Sequence, residues 1–344
     1  MSPLKSSMAA SPDVAGQVSK GERTVHEAYL FAHMLNVKDK MEEYGRLYYS
    51  VSLDGLHWDN LNGGRPILGD YRGHADICKG HDGRYYLVGN EDFRVGGGMG
   101  HVVFRVSDDF INWSKYNDYV PDLRHVPDHP KAVAGFVGAT KVYFDQTSSK
   151  YLVTWHTPSK WLQEGTSEEW ERCADTQRTL YVTSNDLRSF SDPPRRLFSW
   201  EMATLDVIVR REGDQYFAIL KDERVPTAET PTGTTIRVCN AATLVGPYSE
   251  PGDPVSPSHR EAPTLIPAPN GLAWYLYYER FPGLAYEFSA SERLQGPWRQ
   301  FPSTGNPPVE NHCSLPATAR HGSMITISRE QYDVLLTAFG KADR

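Results

Sequence analysis

Apolar strand segments alternate with polar turns along most of the chain, and one arrangement of the two recurs. A strand ends in a polar turn, and an aromatic residue follows six to nine positions after the turn begins. The five copies occupy Ser52–Trp58, Ser107–Trp113, Ser184–Phe190, Asn240–Tyr248 and Ser289–Trp298. Their aromatic residues lie 50 to 77 residues apart. A repeat of this period built from strands and turns is typical of propeller blades. Five copies therefore predict five blades.

Each blade should bring an inner strand and a hairpin partner. Apolar segments that suit the second strands are Arg84–Val88, Lys150–Trp155, Gln215–Leu220 and Trp274–Tyr278. Segments that suit the inner strands are His74–Cys78, Val137–Phe144, Leu205–Val209, Glu261–Ile266 and Ala319–Ile327. The last inner strand has no hairpin after it, and the N-terminal strands Ala28–Phe31 and Arg46–Val51 have no inner strand before them. We therefore predict an all-β fold, a single five-bladed β-propeller whose fifth blade is closed by the N- and C-terminal strands.

Composition narrows the classes of function. Residues 1–26 are rich in small and polar residues and read as a flexible tail, which leaves residues 27–344 for the propeller catalytic domain. The net charge of −7 argues against nucleic acid, because phosphate neutralisation needs a basic surface. The chain contains no apolar run long enough to span a membrane. Four scattered cysteines and no signal peptide favour a cytoplasmic setting.

Polar residues near the starts of the inner strands should meet at the propeller axis. By blade they are His74 or Asp76, Lys141 with Thr140, Asp206, Glu261 and His321. Asp206 and Glu261 are carboxylates in apolar surroundings, and an acid there is unfavourable unless it is paired or used. One interpretation is that each caps strand-end amides or pairs with an arginine. Their placement at equivalent blade positions favours function instead.

Two or three carboxylates around a pocket suit glycoside hydrolysis. One acid protonates the leaving oxygen, while a carboxylate base activates water from the opposite side of the sugar. An inverting enzyme keeps such a pair roughly 6.5–9.5 Å apart to admit the water. Opposite walls of a narrow propeller axis could provide that gap.

Several stretches resemble glycoside hydrolase family 43, the five-bladed arabinofuranosidase and xylosidase group. The resemblance covers residues 27–330, and the stretches that carry it are Leu61–Leu68, Leu205–Phe217, Arg260–Leu265 and Arg320–Ser323. The first of these is similar to the arabinofuranosidase and galactofuranosidase-like branch. The resemblance implies that Glu261 is the general acid and that Asp206 modulates its pKa. It also implies that His321 organises the centre of the site, where it could hold a water or a calcium ion; no other cofactor is expected.

The catalytic base is where the chain departs from the family. Family members carry His-Asp-Pro or Arg-Asp-Pro there, whereas this chain reads Arg72-Gly-His74-Ala-Asp76. Counting back from the Asp82–Gly83 turn puts His74 at the base position, and a shift of two residues puts Asp76 there. Both residues face the same side of a strand, because they are two apart. The base is therefore His74 or Asp76, or it has been lost.

Other polar and aromatic residues are candidates for substrate contacts. Arg280 could reach the sugar or the acid's carboxylate, although a surface arginine fits its position equally well. Trp155 could stack on a sugar face, but its strand position also suits a packed core tryptophan. Lys221-Asp222-Glu223 reads as a solvated strand end.

The sequence thus predicts an exo-acting, inverting glycosidase for a terminal furanose or pentose, of α-L-arabinofuranosidase, galactofuranosidase or β-xylosidase type. Its partner is an oligosaccharide or glycoside, and the sequence does not determine the oligomeric state. A carbohydrate-binding propeller without turnover is the first alternative, because the usual base is absent. A phosphorylase is the second, and its phosphate pocket would draw on Arg72, Lys141, Arg280 and Arg320.

Overall fold

A computed structural model describes residues 24–36, 43–90, 101–126, 136–159, 167–228, 231–281, 285–301 and 312–341. Within these ranges the chain is almost entirely β-structure, arranged as five antiparallel sheets. The predicted tail lies outside the described residues up to residue 23. From residue 24 the chain runs beside blade 4, where His26 N donates to Pro269 O at 2.9 Å.

Four blades follow one another along the chain, each beginning with its inner strand. Blade 1 consists of Asp76–Lys79, Tyr85–Asn90, Val102–Ser107 and Ser114–Tyr119. Blade 2 consists of Gly138–Asp145, Lys150–Pro158, Gln177–Ser184 and Arg195–Arg196. Blade 3 consists of Thr204–Glu212, Gln215–Asp222 and Ile236–Ala241. Blade 4 consists of Arg260–Pro267, Trp274–Arg280, Ala285–Ser291 and Arg299–Phe301.

Both ends of the chain build blade 5. Its strands, from the axis outward, are Ala319–Ile327, Ala28–Leu35, Tyr48–Ser52 and Asp59–Asn60. The inner strand pairs with the N-terminal strand from Ala28 opposite Ile327 to Leu35 opposite Ala319. This closure confirms the five-bladed fold and the joining of the two termini. It also ties both ends of the chain into one sheet.

The repeated Ser-x-Asp turns close their blades through side-chain hydrogen bonds to the backbone. In blade 1, Ser107 Oγ accepts from Phe110 N at 3.0 Å, and Asp109 Oδ1 accepts from Ile111 N and Asn112 N, both at 2.8 Å. The copies at Ser52 and Ser184 repeat these bonds. Short polar side chains can replace the strand ladder in this way, which explains why the pattern was visible in the sequence.

Apolar residues fill the spaces between neighbouring blades. Phe104 of blade 1 and Trp155 of blade 2, for example, belong to one buried cluster. The helices lie outside the blades and are Ser167–Cys173, Arg329–Phe339 and the short 3₁₀ turns Asn62–Gly64, Leu123–His125 and Ala174–Thr176. The C-terminal helix begins at Arg329, because Ser328 and Gln331 form a capping box. In the described part of the chain, no helix has the length and apolar character needed to cross a membrane.

Candidate active site

Four inner strands contain a β-bulge on the same side of the propeller. The bulged residues have positive φ and are Ala139 (41°), Asp206 (52°), Ala262 (53°) and His321 (31°). Non-glycine residues rarely adopt this conformation, and each instance costs roughly 1–3 kcal/mol. A bulge bends the strand and redirects its side chains, and such bulges often lie next to active sites. The four strands therefore turn their polar residues toward the axis at one level.

The bulges correct one premise of the sequence analysis. Asp206 is itself a bulged residue, whereas Glu261 precedes the bulged Ala262, so the two acids do not occupy equivalent blade positions. Each bulge also shifts the hairpin register by one residue. Glu261 therefore lies opposite Glu279, and Leu205 lies opposite Lys221.

Glu261 lies at the centre of a buried ionic network. Its Oε2 is 2.9 Å from Lys221 Nζ, and its Oε1 is 2.8 Å from Arg320 Nη2. His321 Nε2 lies 3.5 Å from the same Oε1. Burial by itself would raise the pKa of Glu261, but the Lys221 ammonium and His321 outweigh burial and hold this pKa well below its usual range. The acid suggested by sequence is thus ionised in this arrangement.

Glu279 is the partner that sequence reasoning missed. It is completely buried, and Arg320 Nε reaches its Oε1 at 3.0 Å while His321 N donates to its Oε2 at 3.1 Å. Burial is the main cause that raises the pKa of Glu279 to about 7, and the neighbouring Glu261 carboxylate adds to it. Arg320 therefore contacts two carboxyls, Glu261 with a lowered pKa and Glu279 with a raised pKa.

Asp206 supports the backbone beside Glu261. Its Oδ2 accepts a hydrogen bond from Ala262 N at 3.0 Å, across the gap between blades 3 and 4. Asp206, His74 and His321 also bring one oxygen and two ring nitrogens within 4.8 Å of one another. The structure therefore joins the predicted acid, its predicted modulator and two histidines in one cluster.

The two candidates for the base have different surroundings. The His74 ring stacks on the His321 ring with centroids 4.0 Å apart and planes 7° from parallel. Burial, followed by the nearby His321 and Lys141, holds the pKa of His74 well below its usual range, so its imidazole is neutral. Asp76 lies two residues further along, where its Oδ2 accepts from Val142 N at 2.8 Å and its Oδ1 is 3.9 Å from Lys141 Nζ. Asp76 thus ties blade 1 to blade 2, and His74 is the one that joins Asp206 and His321.

The remaining sequence candidates occupy other places. Trp155 is 1% exposed and packs with Tyr119 at a centroid distance of 6.1 Å, which agrees with the core interpretation and leaves no face for a sugar. Arg280 lies opposite Arg260, so the arginine that reaches both acids is Arg320. The expectation of a solvated Lys221 is wrong, because its ammonium is buried between Glu261 and Glu223.

Comparison with protein families identifies the family of this chain. The sequence model of a family described as a probable glycosyl hydrolase domain, related to glycoside hydrolase family 43, matches residues 25–333. The chain belongs to this family. A search of curated proteins finds no match. The predicted resemblance to family 43 is thereby confirmed, and the chain is assigned to the glycoside hydrolases.

Solved structures agree with this family at the level of fold. A family 43 arabinoxylan arabinofuranohydrolase from Bacillus subtilis, in complex with cellotetraose, aligns with a TM-score of 0.53 at 13% identity, over 89% of this chain and 66% of its own. An exo-β-1,3-galactanase from Phanerochaete chrysosporium, with β-1,3-galactotriose, aligns with a TM-score of 0.47 at 16% identity, over 71% and 52%. The chain spans about half the length of that galactanase. A family 62 α-L-arabinofuranosidase from Coprinopsis cinerea aligns with a TM-score of 0.46 at 14% identity, over 70% and 72%.

The central cluster does not suit the calcium ion that the family resemblance suggested at His321. Calcium takes six to eight oxygen ligands. Around His321 the described residues offer two groups, His74 with Asp206 and Glu261 with Glu279. The first is mostly imidazole, and the carboxylates of the second are already bound by Arg320 and Lys221. Two cations at this position would repel a third, so the site does not suit a calcium ion.

Proposed function

We propose that this glycoside hydrolase family member is an exo-acting, inverting glycosidase that removes a terminal furanose or pentose. The observation that carries the proposal is the meeting of Glu261, Asp206 and His74 in one buried cluster at the propeller axis. A site confined to one end of a propeller axis would suit a single terminal sugar rather than the interior of a chain. The arabinofuranosidases among the similar structures support this substrate class.

Glu261, Asp206 and His74 have separate roles in the reaction. Glu261 is the general acid and gives a proton to the leaving oxygen as the glycosidic C–O bond breaks. Asp206 is a positioning residue, because it holds Ala262 N next to Glu261. His74 is the base: its neutral imidazole can take a proton from the attacking water. A single displacement with this acid and base inverts the anomeric carbon.

The structure does not favour a phosphorylase. Of the four cations that a phosphate pocket would draw on, Arg320 is bound to Glu261 and Glu279, and Lys141 faces Asp76. Phosphate would have to displace carboxylates from these cations. Added phosphate is therefore expected to leave the rate unchanged.

The test is hydrolysis of nitrophenyl α-L-arabinofuranoside, β-D-galactofuranoside and β-D-xyloside by the wild type, Glu261→Gln, His74→Ala and Asp76→Asn. Glu261→Gln and His74→Ala should each lose at least 100-fold in kcat/KM, because general acid–base catalysis contributes about 10²- to 10⁴-fold. Asp76→Asn keeps an oxygen for Val142 N and should stay within tenfold of the wild type. Azide should restore turnover to His74→Ala, since it needs no deprotonation before attack.

The outcomes separate the alternatives. Collapse in Asp76→Asn with an active His74→Ala would transfer the role of base to Asp76. Saturable sugar binding without turnover of any glycoside would instead identify a carbohydrate-binding propeller. Equal losses in all three variants, with no azide rescue, would mean that they only disturb the fold.

A further inference from the structure

The general acid of this site lacks an obvious source for its proton. Glu261 lies between two cations, with Lys221 Nζ at 2.9 Å from one oxygen and Arg320 Nη2 at 2.8 Å from the other. Both contacts stabilise the ionised form. A carboxylate held in this way cannot donate a proton unless a neighbour supplies one.

The charges of the cluster favour a neutral carboxyl near Glu261. Four carboxyls are grouped here, those of Asp206, Glu223, Glu261 and Glu279, against two fixed cations, Lys221 and Arg320. Uncompensated charge is strongly disfavoured away from water. At least one of the four carboxyls is therefore expected to stay neutral.

Contacts identify Glu279 as the neutral carboxyl. Glu223 has Lys221 at 2.7 Å. Asp206 and Glu279 each accept one backbone N–H, from Ala262 and from His321, but Glu279 also lies within 4.8 Å of the Glu261 carboxyl and shares Arg320 with it. The titratable or charged groups that face Glu279 are Glu261 of its own blade, Tyr286 of the next strand, Arg320 and His321 of blade 5, and Tyr44. Among the described residues, Arg320 is the only permanent cation in this set.

Glu279 is also in direct contact with the acid. The two glutamates lie opposite each other in the strand pair, and one carboxyl oxygen of each lies within 4.8 Å of the other. Two ionised carboxyls this close repel each other, which favours a proton on one of them. Arg320 Nε and Nη2 fix this arrangement by bonding one oxygen of each, at 3.0 and 2.8 Å.

We propose that Glu279 stores the proton that Glu261 delivers, so that the acid of this site is a pair of carboxyls clamped by Arg320. This inference rests on the proposed function. Glu279 passes its proton to Glu261, and Glu261 passes that proton on to the leaving oxygen as the glycosidic bond breaks. Water attacks the anomeric carbon and loses a proton to His74. His74 then releases its proton to solvent and Glu279 takes one up, so one water is consumed and both groups are restored.

Dependence on the leaving group tests this role. A dinitrophenyl glycoside needs no protonation, whereas an alkyl glycoside or an oligosaccharide does. Glu279→Gln is isosteric and neutral, as the protonated residue is, but it has no carboxyl proton to pass on. It should lose at least 100-fold in kcat/KM on the alkyl glycoside and less than tenfold on the dinitrophenyl glycoside. In the wild type, kcat/KM should fall at high pH as the pair loses its proton, and Glu279→Gln should lack this limb.

Glu287→Gln is the matched control. Glu287 is buried as completely as Glu279 and lies on the same blade, but it pairs with Arg260 at 2.6 Å. Its replacement should affect the two leaving groups equally. Should Glu279→Gln fail to fold, Arg320→Lys can replace it, because a lysine cannot bond both carboxyls at once and should produce the same leaving-group dependence.

Infrared spectroscopy provides a readout that needs no turnover. Near neutral pH the wild type should show the carbonyl band of a protonated carboxyl, and Glu279→Gln should lack it. A wild type without this band overturns the inference, and so does an equal loss on both leaving groups in Glu279→Gln. Absence of hydrolysis in the wild type, with the band present, would overturn the proposed function but leave the stored proton established.

Discussion

The most informative perturbation of this fold is the removal of the Lys221 ammonium by Lys221→Met. Lys221 Nζ lies 2.9 Å from Glu261 and 2.7 Å from Glu223, and all three side chains are about nine-tenths buried. At 2.9 Å and an effective dielectric constant of 20, one such contact is worth about 6 kcal/mol before desolvation is subtracted. Removing one partner of a buried pair typically costs roughly 3–5 kcal/mol. We expect Lys221→Met to lower the free energy of unfolding by about that amount at pH 8.

The destabilisation caused by Lys221→Met should be larger at pH 8 than at pH 5. The pKa of Lys221 is raised by Glu261 and Glu223 against the effect of burial, so the ammonium is charged in both folded and unfolded states between pH 5 and 8. The pKa of Glu261 is lowered in the folded wild type, so its contribution is present above the unfolded value and is lost as pH falls through the folded value. Without Lys221, only Arg320 and His321 oppose the effect of burial, so the pKa of Glu261 should be higher in the variant than in the wild type. As pH falls from 8 toward 5, the variant should regain part of its lost free energy of unfolding. The gain should be about 1.4 kcal/mol per pH unit for each proton that the folded state takes up.

Urea unfolding at pH 5 and pH 8 measures the loss in the free energy of unfolding and its change with pH. Lys341→Met is the matched control, because Lys341 Nζ lies 2.6 Å from Asp59 but its side chain is 49% exposed. Exposed pairs contribute at most about 1 kcal/mol. The reasoning is refuted if Lys221→Met costs no more than Lys341→Met at pH 8, or if its cost is the same at both pH values.

Two further predictions concern packing. Trp155→Ala should leave a cavity and destabilise the fold by about 3–5 kcal/mol. Its KM should stay within a factor of two of the wild type. A KM that rises in proportion to the loss of activity would instead support a role for Trp155 in stacking on the sugar. Gly138→Ala should lower the melting temperature, because its Cβ would lie 2.1 Å from His156 Nε2. A Cβ added to Gly69 meets nothing within 4 Å, so Gly69→Ala should be neutral. Equal melting temperatures for the two glycine variants would show that His156 can move away without cost.

Much of this architecture could be predicted because its signals are local. The Ser-x-Asp turns are short-range hydrogen-bonding motifs, so residues such as Ser107 and Asp109 predict the end of a strand from the local sequence alone. The missing inner strand at the N-terminus and the missing hairpin at the C-terminus were enough to predict the shared fifth blade. The placement of Glu261, Asp206, His74 and His321 near the axis also followed from their positions at the starts of inner strands.

The contacts within the site could not be predicted in the same way. A regular hairpin centred on the Asn270–Gly271 turn would place Glu261 opposite Arg280, the residue that sequence reasoning chose. The bulge at Ala262 shifts the pairing by one residue and places Glu279 there instead. A bulge in a strand that reads as regular leaves no clear pattern in a single sequence.

The sequence by itself determined the strands, the turns, the closure of the propeller and the family, because each depends on residues close together in the chain or on motifs in a fixed order. Only the tertiary structure decided which carboxyls contact which cations, and that His74 rather than Asp76 joins the central cluster. Those properties arise between blades, where Lys221, Arg320 and Glu279 come from three different sheets. Electrostatic interactions at 3 Å are set by that packing, and a shift of one residue in one strand changes them entirely.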